Sequence, residues 1–331
     1  MLKQQIEEFC KSLGLDIVGF IRCRKFVELI DFYEKRRENN LQNEFEEKDM
    51  EKRVNPYLTM EGGKTILSIA FPYYHEEEHT ENNGFSVYTK RTDYHKVVRA
   101  YLTKICDFIK SLGGKAECFV DSNALPERYI AYLAGVGFIG RNNMLITKKY
   151  GSYVFLGEII TDLEVASEEE RPYQEISSYT ECGDCTRCYS ECPTKAINQS
   201  RLNPNICLSY LTQKKELSEN ELRLLNGNVF GCDFCQLKCP YNEKIEANVL
   251  EDFKTLNDMN EDITVFAAMD NKFFKDKISN TSCGWRGKNV IKRNAILRLH
   301  QEKKDITGLR GASPYLNAYI DRILDKQDRK E

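Results

Sequence analysis

The spacing of apolar residues predicts alternating helices and strands along the first 165 residues. A helical face over residues 2–13 is followed by Gly14, which ends the helix, and by a short apolar run over residues 17–20. A longer apolar run over residues 65–71 predicts a core strand. Helical spacing returns over residues 94–112. The chain therefore opens as helix, strand, strand and helix.

The next elements continue this alternation. Residues 117–120 predict a strand that ends at Asp121, and Pro126 suits the first turn of a helix over residues 126–134. The run from 144 to 161, broken by Lys149, Tyr150 and Gly151, indicates a hairpin. We therefore predict an α/β domain over residues 1–165, a cysteine-rich α+β module over 166–245 and a short all-α region over 246–331.

Size and charge fit a multidomain protein of the cytosol. The chain has 331 residues, enough for two or three buried cores. It carries 48 Lys and Arg against 51 Asp and Glu, which excludes a generic polyanion binder. The amphipathic N-terminus lacks the apolar core of a signal peptide, and no stretch is long enough to cross a bilayer. We expect a cytoplasmic monomer without membrane contact.

Eight of the thirteen cysteines lie in one 58-residue stretch and carry the strongest chemical signal. The spacing C-x2-C-x2-C-x3-C-P, followed by a second C-x2-C-x3-C-P, is typical of two 4Fe-4S clusters, in which the Cys before Pro serves the other cluster. Crosswise ligation assigns one cluster to Cys182, Cys185, Cys188 and Cys239, and the other to Cys192, Cys207, Cys232 and Cys235. The distant Cys207 replaces the member that the second run lacks.

Two other interpretations of these cysteines stay open. Structural zinc needs four thiolates at similar spacing, and a disulfide framework needs an oxidising compartment. The paired repeats fit iron-sulfur clusters better than zinc ribbons.

A basic segment follows the cysteines. Residues 271–304 contain ten Lys or Arg against two acids, and the chain's only Trp, Trp285, lies among them. Phosphate-neutralising cations beside a stacking aromatic are typical of RNA binding. The candidate contacts are Trp285, Arg286, Lys288, Lys292 and Arg293. A solvated helix face with a core Trp is an equal alternative.

Two motif matches fail in context. The H-E-x-x-H string at residues 75–79 follows a strand and a turn, so we interpret it as a charged loop and not as a zinc site. The G-x-G-x-x-G string at residues 135–140 follows a helix, whereas the dinucleotide fingerprint must follow a strand. Asp121 at a strand end suits either a ligand site or a turn-capping role.

The chain resembles the epoxyqueuosine reductases. The strings that carry the resemblance, besides the eight cysteines, are YTKRTDYH at 88–95, VDS at 120–122, AGVGFIGRN at 134–142, LGEI at 156–159, SYLT at 209–212 and WRG at 285–287. The resemblance implies a cobalamin-dependent enzyme that reduces epoxyqueuosine to queuosine at the wobble position of tRNA with a GUN anticodon. It also implies an external one-electron donor such as a flavodoxin or ferredoxin.

The same resemblance implies roles for individual residues. Asp121 would be the proton donor, which requires a carboxyl pKa raised by a poorly solvated site. Cobalamin would bind in the α/β domain without a His ligand, near Arg53, Asp93, His95, Asp121, Asn143, Gly157 and Ser209. The C-terminal helices would form a short HEAT-like region that contacts tRNA.

Three competing functions stay open from the sequence. A reductive dehalogenase-like enzyme combines the same cofactors, although its usual twin-arginine signal is absent. A plain iron-sulfur electron-transfer protein would use the α/β domain only as a scaffold. An RNA-binding protein with a structural cluster is the third.

Overall fold

The computed structural model describes residues 1–75, 82–167, 169–199, 202–247 and 250–325. Residues 76–79 of the H-E-x-x-H string lie outside the described residues. Within the described ranges, no helix is long and apolar enough to cross a membrane.

The central sheet is antiparallel. Its strands are β1 (Val18–Arg22), β2 (Thr65–Pro72), β3 (Ala116–Phe119) and a later strand, Val154–Thr161, which lies between β2 and β3 and pairs antiparallel with both. β1 pairs antiparallel with the outer edge of β2. The predicted α/β class is therefore wrong for this domain, which is α+β, because the inserted strand replaces the parallel neighbours of a βαβ unit.

The hairpin predicted over residues 144–161 is also wrong. The hairpin consists of β4 (Phe138–Ile139) and β5 (Leu145–Ile146), and the Val154–Thr161 strand, β6, belongs to the central sheet. The turn between β4 and β5 contains Asn143 at φ 62°, a left-handed conformation that Asn tolerates. Gly137 and Gly140 pack against Ile146 in this hairpin, which explains the glycine string without a dinucleotide site.

Helices cover both faces of the sheet. α1 (Leu2–Ser12) and α4 (Tyr94–Ser111) pack on one face, and α5 (Glu127–Leu133) packs on the other. The short α2 (Ile30–Glu38) and α3 (Met50–Val54) join the α5 side. Gly19 of β1 permits the approach of α5, because a Cβ there would lie 2.2 Å from the Ala134 carbonyl oxygen.

The cysteine module is built from short helices and loops. They are α6 (Arg187–Glu191), α7 (Leu208–Leu211), α8 (Glu219–Leu224) and α9 (Phe234–Leu237). Among its described residues we find no strand, only an isolated bridge between Phe85 and Phe230. The predicted α+β module is thus wrong in its β part, since the backbone turns repeatedly to bring the cysteines inward.

The C-terminal region is helical, as predicted. It contains α10 (Ile263–Ala268), α11 (Asn271–Phe273), α12 (Lys288–Gln301) and α13 (Pro314–Leu324), with α12 packed between α10 and α13. The predicted boundary at 245 does not separate two cores, because Leu208, Leu222 and Phe230 share one core with these helices. Leu250 and Phe253 return to the core of the N-terminal domain.

Candidate active site and iron-sulfur centres

Asp121 lies just beyond β3, in a recess beside the N-terminus of α4. Its backbone is left-handed, at φ 46°, and its side chain is 55% exposed. Tyr94 donates its hydroxyl to Asp121 Oδ2 at 2.6 Å, and His95 Nε2 lies 3.1 Å from the same oxygen. α4 thus presents two groups that can exchange a hydrogen bond or a proton with Asp121.

Asp93 fixes the orientation of His95. As the N-cap of α4, it accepts the backbone N–H of His95, and its Oδ1 also lies 2.8 Å from His95 Nδ1. Burial alone would lower the pKa of His95, but the hydrogen bonds with Asp121 and Asp93 outweigh it and raise the pKa to about 9. Both ring nitrogens are engaged, so His95 is not free to ligate a metal.

The predicted rise in the pKa of Asp121 is wrong. The surrounding protein would raise this pKa, but hydrogen bonds from His95 and Tyr94, together with the charge of His95, hold it below its ordinary value. Desolvation alone favours a raised pKa, and the cation that opposes it, His95, lies 26 residues away in the sequence. Asp121 and His95 therefore form an ion pair at neutral pH.

Aromatic side chains line the recess. Tyr94 stacks on Phe155 with ring centroids 4.3 Å apart and on His95 at 4.1 Å. Burial raises the pKa of Tyr88, the charges of Asp233 and Asp121 add to it, and a hydrogen bond with Ser209 opposes it. Because Tyr88 interacts with both residues, Ser209 of α7 and Asp121 lie in the same part of the site.

A pair of acids lies behind Asp121. Glu158 of β6 is fully buried and lies near Glu127 at the start of α5, and its buried Oε2 has no hydrogen-bond partner among the described residues. Burial and the charge of Glu127 raise the pKa of Glu158 well above its ordinary value. Neither Glu was assigned a role from the sequence, although a lone Glu within a buried strand is a signal.

Arginines occupy the α5 side of the recess. Arg128 donates to the Asn143 carbonyl, and its charged neighbours include Glu46. Arg53 pairs with Glu46 at 3.1 Å and stacks 3.8 Å from the Tyr33 ring, while its buried Nε has no hydrogen-bond partner among the described residues. Arg53 and Asn143 thus lie on one side of the recess. Arg128 and Tyr33 also lie there, but nothing in the sequence led us to predict them as site residues.

Gly157 does not face the recess. A Cβ at this position would lie 2.8 Å from Val98, 2.9 Å from Leu102 and 3.0 Å from Phe71. The glycine permits α4 to pack closely on β6. Its predicted position as a cobalamin contact is therefore wrong.

The first predicted set of cysteines lines one cavity. The cavity has a volume of about 280 Å³, and its walls include Cys182, Cys185, Cys188 and Cys239. Burial and then the charges of the other three thiolates raise the pKa of Cys188 to about 11. The backbone N–H of Arg141 donates to Cys182 Sγ at 3.5 Å. Four thiols around a cavity of this size are a donor set suited to an iron-sulfur cluster.

The second predicted set also converges. Burial raises the pKa of Cys232, and the thiolates of Cys207 and Cys192 add to the rise. Burial likewise raises the pKa of Cys235, and the charges of Cys232 and Cys207 add to the rise. Cys207 is the N-cap of α7, two residues before Ser209. Among the described residues, no three His, Cys, Asp or Glu lie close enough to ligate a single metal ion, whereas a 4Fe-4S cluster takes its four thiolates from around a larger group.

Trp285 belongs to an aromatic platform, which we define as Phe45, Tyr210, Trp285 and Arg286; Phe45 and Trp285 are exposed, whereas the Arg286 side chain is 10% exposed and pairs with Glu44. Trp285 is 56% exposed and meets Phe45 edge to face, and Phe45 meets Tyr210 in the same way. The Arg286 guanidinium lies 4.6 Å from the Trp285 ring and donates to the Gln213 carbonyl. Tyr210 follows Ser209 directly in the chain, so a residue of the platform is next in sequence to a residue of the recess.

The other predicted tRNA contacts differ in exposure. Lys288 is half-buried and donates to Asn271, and Lys292 donates to the Met269 carbonyl. Arg293 is fully buried and donates to the carbonyls of Lys214 and Lys215. The assignment of Arg293 as a phosphate contact is therefore wrong, since helix α12 directs it into the core.

Two family models match the chain. One is described as a 4Fe-4S double cluster binding domain and matches residues 181–242. The other is described as Epoxyqueuosine reductase QueG, DUF1730, and matches residues 53–122. Similar curated proteins include the epoxyqueuosine reductases of Lactococcus garvieae, 36% identical over 90% of this chain and 86% of that protein, and of Bacillus subtilis, 36% identical over 90% and 78%.

Solved structures resemble the whole chain. An epoxyqueuosine reductase bound to a tRNA-Tyr stem loop carrying epoxyqueuosine has a TM-score of 0.87 at 31% identity, covering 98% of this chain and 90% of that one. The enzyme from Streptococcus thermophilus has a TM-score of 0.82 at 29% identity, covering 99% of both chains. A Bacillus subtilis structure with its aspartate catalytic loop swung out of the active site has a TM-score of 0.86 at 30% identity, covering 98% and 90%.

Proposed function

The chain belongs to the epoxyqueuosine reductase family, and we propose that it reduces epoxyqueuosine in tRNA with Asp121 as the proton donor. It is an oxidoreductase of queuosine synthesis. The observation that carries the proposal is the recess, where Asp121 contacts Tyr94 and His95 and where Ser209 lies two residues from Cys207. Acid chemistry and cysteine ligands are thereby adjacent.

Conversion of an epoxide to an alkene and water consumes two electrons and two protons. We propose that an external donor such as a flavodoxin or ferredoxin supplies single electrons through two 4Fe-4S clusters, one held by Cys182, Cys185, Cys188 and Cys239 and the other by Cys192, Cys207, Cys232 and Cys235. Thiolate-bound clusters pass electrons with little rearrangement. The crosswise sets are supported by the cavity and by the mutual influence of the thiols.

Cobalamin, when bound, supplies a low-potential metal that can reduce the epoxide. The residues around the recess fit it, because the unpartnered Arg53 Nε and the polar groups of Asn143 and Ser209 can bind the amides of a corrin periphery. His95 holds Asp93 and Asp121 with its two ring nitrogens and so leaves the metal without a His ligand.

The protein's own residues manage the proton. His95 is protonated at neutral pH and donates toward ionised Asp121, so the pair stores one of the two protons that the reaction consumes, and the second comes from solvent. Asp121 Oδ2, which also accepts from Tyr94, presents that proton to the developing alkoxide. Phe155 and Tyr94 stack at the edge of the recess and limit water around it.

For the substrate, we propose tRNA with a GUN anticodon. A relative has been solved with a tRNA stem loop, and here the aromatic platform offers exposed rings for stacking beside the recess. Arg286, Lys288 and Lys292 lie in the same segment and supply nearby positive charge. We further propose that the Asp121 loop, like the catalytic loop of the B. subtilis relative, moves between positions inside and outside the site.

Reconstitution tests the function directly. The protein is loaded anaerobically with iron, sulfide and cobalamin, supplied with a chemical reductant and incubated with tRNA that carries epoxyqueuosine. Mass spectrometry of the nucleosides should show queuosine in place of epoxyqueuosine. An unchanged epoxyqueuosine signal from protein whose absorbance shows both clusters and corrin would refute the proposal.

A further inference from the structure

The loop over residues 120–126, which we call the catalytic loop, joins β3 to α5 and carries Asp121. Its backbone is under local strain, because Asp121 adopts a left-handed conformation that a non-glycine residue disfavours. A strained loop stays closed only when neighbouring contacts hold it. The contacts of Asp121 with Tyr94 and His95 hold one end, but these groups also take part in the reaction.

Asn123 ties the middle of the catalytic loop to α5. Its Nδ2 donates to Glu127 Oε1 at 2.7 Å, and its Oδ1 accepts the Leu125 backbone N–H at 2.7 Å. The Asn123 backbone N–H in turn donates to the Asp121 carbonyl at 2.6 Å. Asn123 therefore connects Asp121, through its backbone, to Glu127, through its side chain.

Glu127 is itself held from below by Glu158. Two adjacent buried carboxylates cannot both be ionised, so the pair retains a proton, and the fully buried Glu158 is the group that carries it. Glu158 Oε1 accepts from the Ser68 hydroxyl at 3.5 Å, and its buried Oε2, which has no hydrogen-bond partner among the described residues, can carry the shared proton toward Glu127. The remaining charged groups that face the pair are Asp121 from the loop and Arg128 from α5.

We propose that Glu127 is a positioning residue that latches the catalytic loop over the active site through Asn123, with Glu158 of the central strand packed behind Glu127. The inference rests on the proposed function, in which the loop must close for Asp121 to deliver a proton. The latch acts on loop closure and leaves tRNA affinity unchanged. It is a second anchor, independent of the Asp121 and His95 contact.

Hydrogen exchange of the loop tests the latch without catalysis. In Glu127→Ala and Asn123→Ala, amide exchange over residues 120–125 of the holoenzyme should accelerate about tenfold, as expected for one lost buried hydrogen bond. The double variant should exchange no faster than Asn123→Ala, because Asn123→Ala already removes the bond to Glu127 together with the bond from the Leu125 backbone N–H. Tyr129→Phe is the matched control, since it removes the bond from the same helix to Glu28 and leaves the loop contacts intact.

Kinetics and the conservative variant complete the test. Glu127→Ala should lower kcat about tenfold while KM for tRNA stays within about twofold. Glu158→Gln, whose amide still donates to Glu127, should retain the exchange and kcat of the parent, whereas Glu158→Ala should match Glu127→Ala. Unchanged loop exchange in Glu127→Ala, or additive effects with Asn123→Ala, would overturn the latch. If loop exchange changes as expected in these variants but the parent enzyme converts no epoxyqueuosine, the proposed function is refuted and the latch is not.

Discussion

His95 Nε2 lies 3.1 Å from Asp121 Oδ2, and this contact determines where the reaction proton rests. Because the pKa of His95 is raised to about 9 and that of Asp121 is lowered, the proton resides on the imidazole at neutral pH. The two groups titrate as a unit, so in the proposed reaction the acid that meets the epoxide oxygen would be the pair. Asp93 stands behind His95 and controls how tightly the proton is held.

Replacement of Asp93 should therefore shift the pH dependence. Asp93→Asn still caps α4, but it removes one anion from His95, whose pKa should fall from about 9 by roughly one unit. The alkaline limit of single-turnover epoxide reduction should move down by a similar amount. The contribution of His95 to the stability of the folded protein is complete below its unfolded-state pKa of about 6.5, and it disappears as the pH rises through the folded-state pKa of about 9.

The control for this shift is Asp107→Asn, which removes an exposed acid that pairs with Lys110 near the other end of α4. Its pH profile should match that of the parent enzyme. An alkaline limit that does not move in Asp93→Asn would show that His95 does not hold the catalytic proton.

Asp121 itself should be essential for chemistry and dispensable for binding. Asp121→Asn preserves size and can still occupy the left-handed conformation at φ 46°. We expect single-turnover reduction to slow by roughly 10²–10⁴-fold, the range for loss of a general acid. Cluster absorbance and affinity for the tRNA stem loop should stay unchanged. Comparable loss of tRNA affinity would instead make Asp121 a binding residue.

Sequence spacing could predict the grouping of cysteines because ligand spacing is local in each C-x2-C run. Only Cys207 required a long-range assignment, and the structure places it beside Cys192 and Cys232. The position of Asp121 at a strand end was predictable for the same local reason. Ligation and proton donation by these residues remain proposals.

The remainder depended on tertiary packing. Nothing local reveals that β6 inserts between β2 and β3, and that insertion brings Glu158 below Glu127. The lowered pKa of Asp121 likewise depends on tertiary packing, because the C-terminal end of β3 lies beside the first turn of α4. Arg293 looked exposed because its neighbours in the sequence are polar, whereas α12 is enclosed by α10 and α13.

Loss of Cys207 should remove one cluster and spare the other. In Cys207→Ser, iron per reconstituted chain should fall from about eight atoms to about four, since only one 4Fe-4S set keeps all its thiolates. Electron paramagnetic resonance of the reduced protein should then lose the spin coupling between two clusters. Cys118→Ala, which changes a half-buried thiol outside both sets, should keep the full iron content. Zinc in place of iron would contradict the assignment.

The aromatic platform should contribute to RNA affinity. Trp285→Ala should weaken binding of the tRNA stem loop about tenfold, within the roughly 1–3 kcal/mol of one stacked base. Trp285→Phe should retain part of that affinity. Phe32→Ala removes another aromatic, 42% exposed, and should leave binding unchanged. Equal affinities for Trp285→Ala and the parent enzyme would exclude the platform from the RNA interface.

Arg293 should matter for stability and not for RNA. Its guanidinium donates to the carbonyls of Lys214 and Lys215 and to the Tyr315 hydroxyl, so Arg293→Met leaves several buried acceptors without a donor. We expect a loss of about 3 kcal/mol, because each unsatisfied buried group costs roughly 1–3 kcal/mol and the lost cation offsets part of it. Thermal unfolding followed by circular dichroism should show a lower Tm, while tRNA affinity at low temperature stays unchanged. Lys275→Met, a change at an exposed lysine, should leave Tm unaltered. An unaltered Tm for Arg293→Met with weaker, salt-dependent RNA binding would instead place this side chain at the RNA interface.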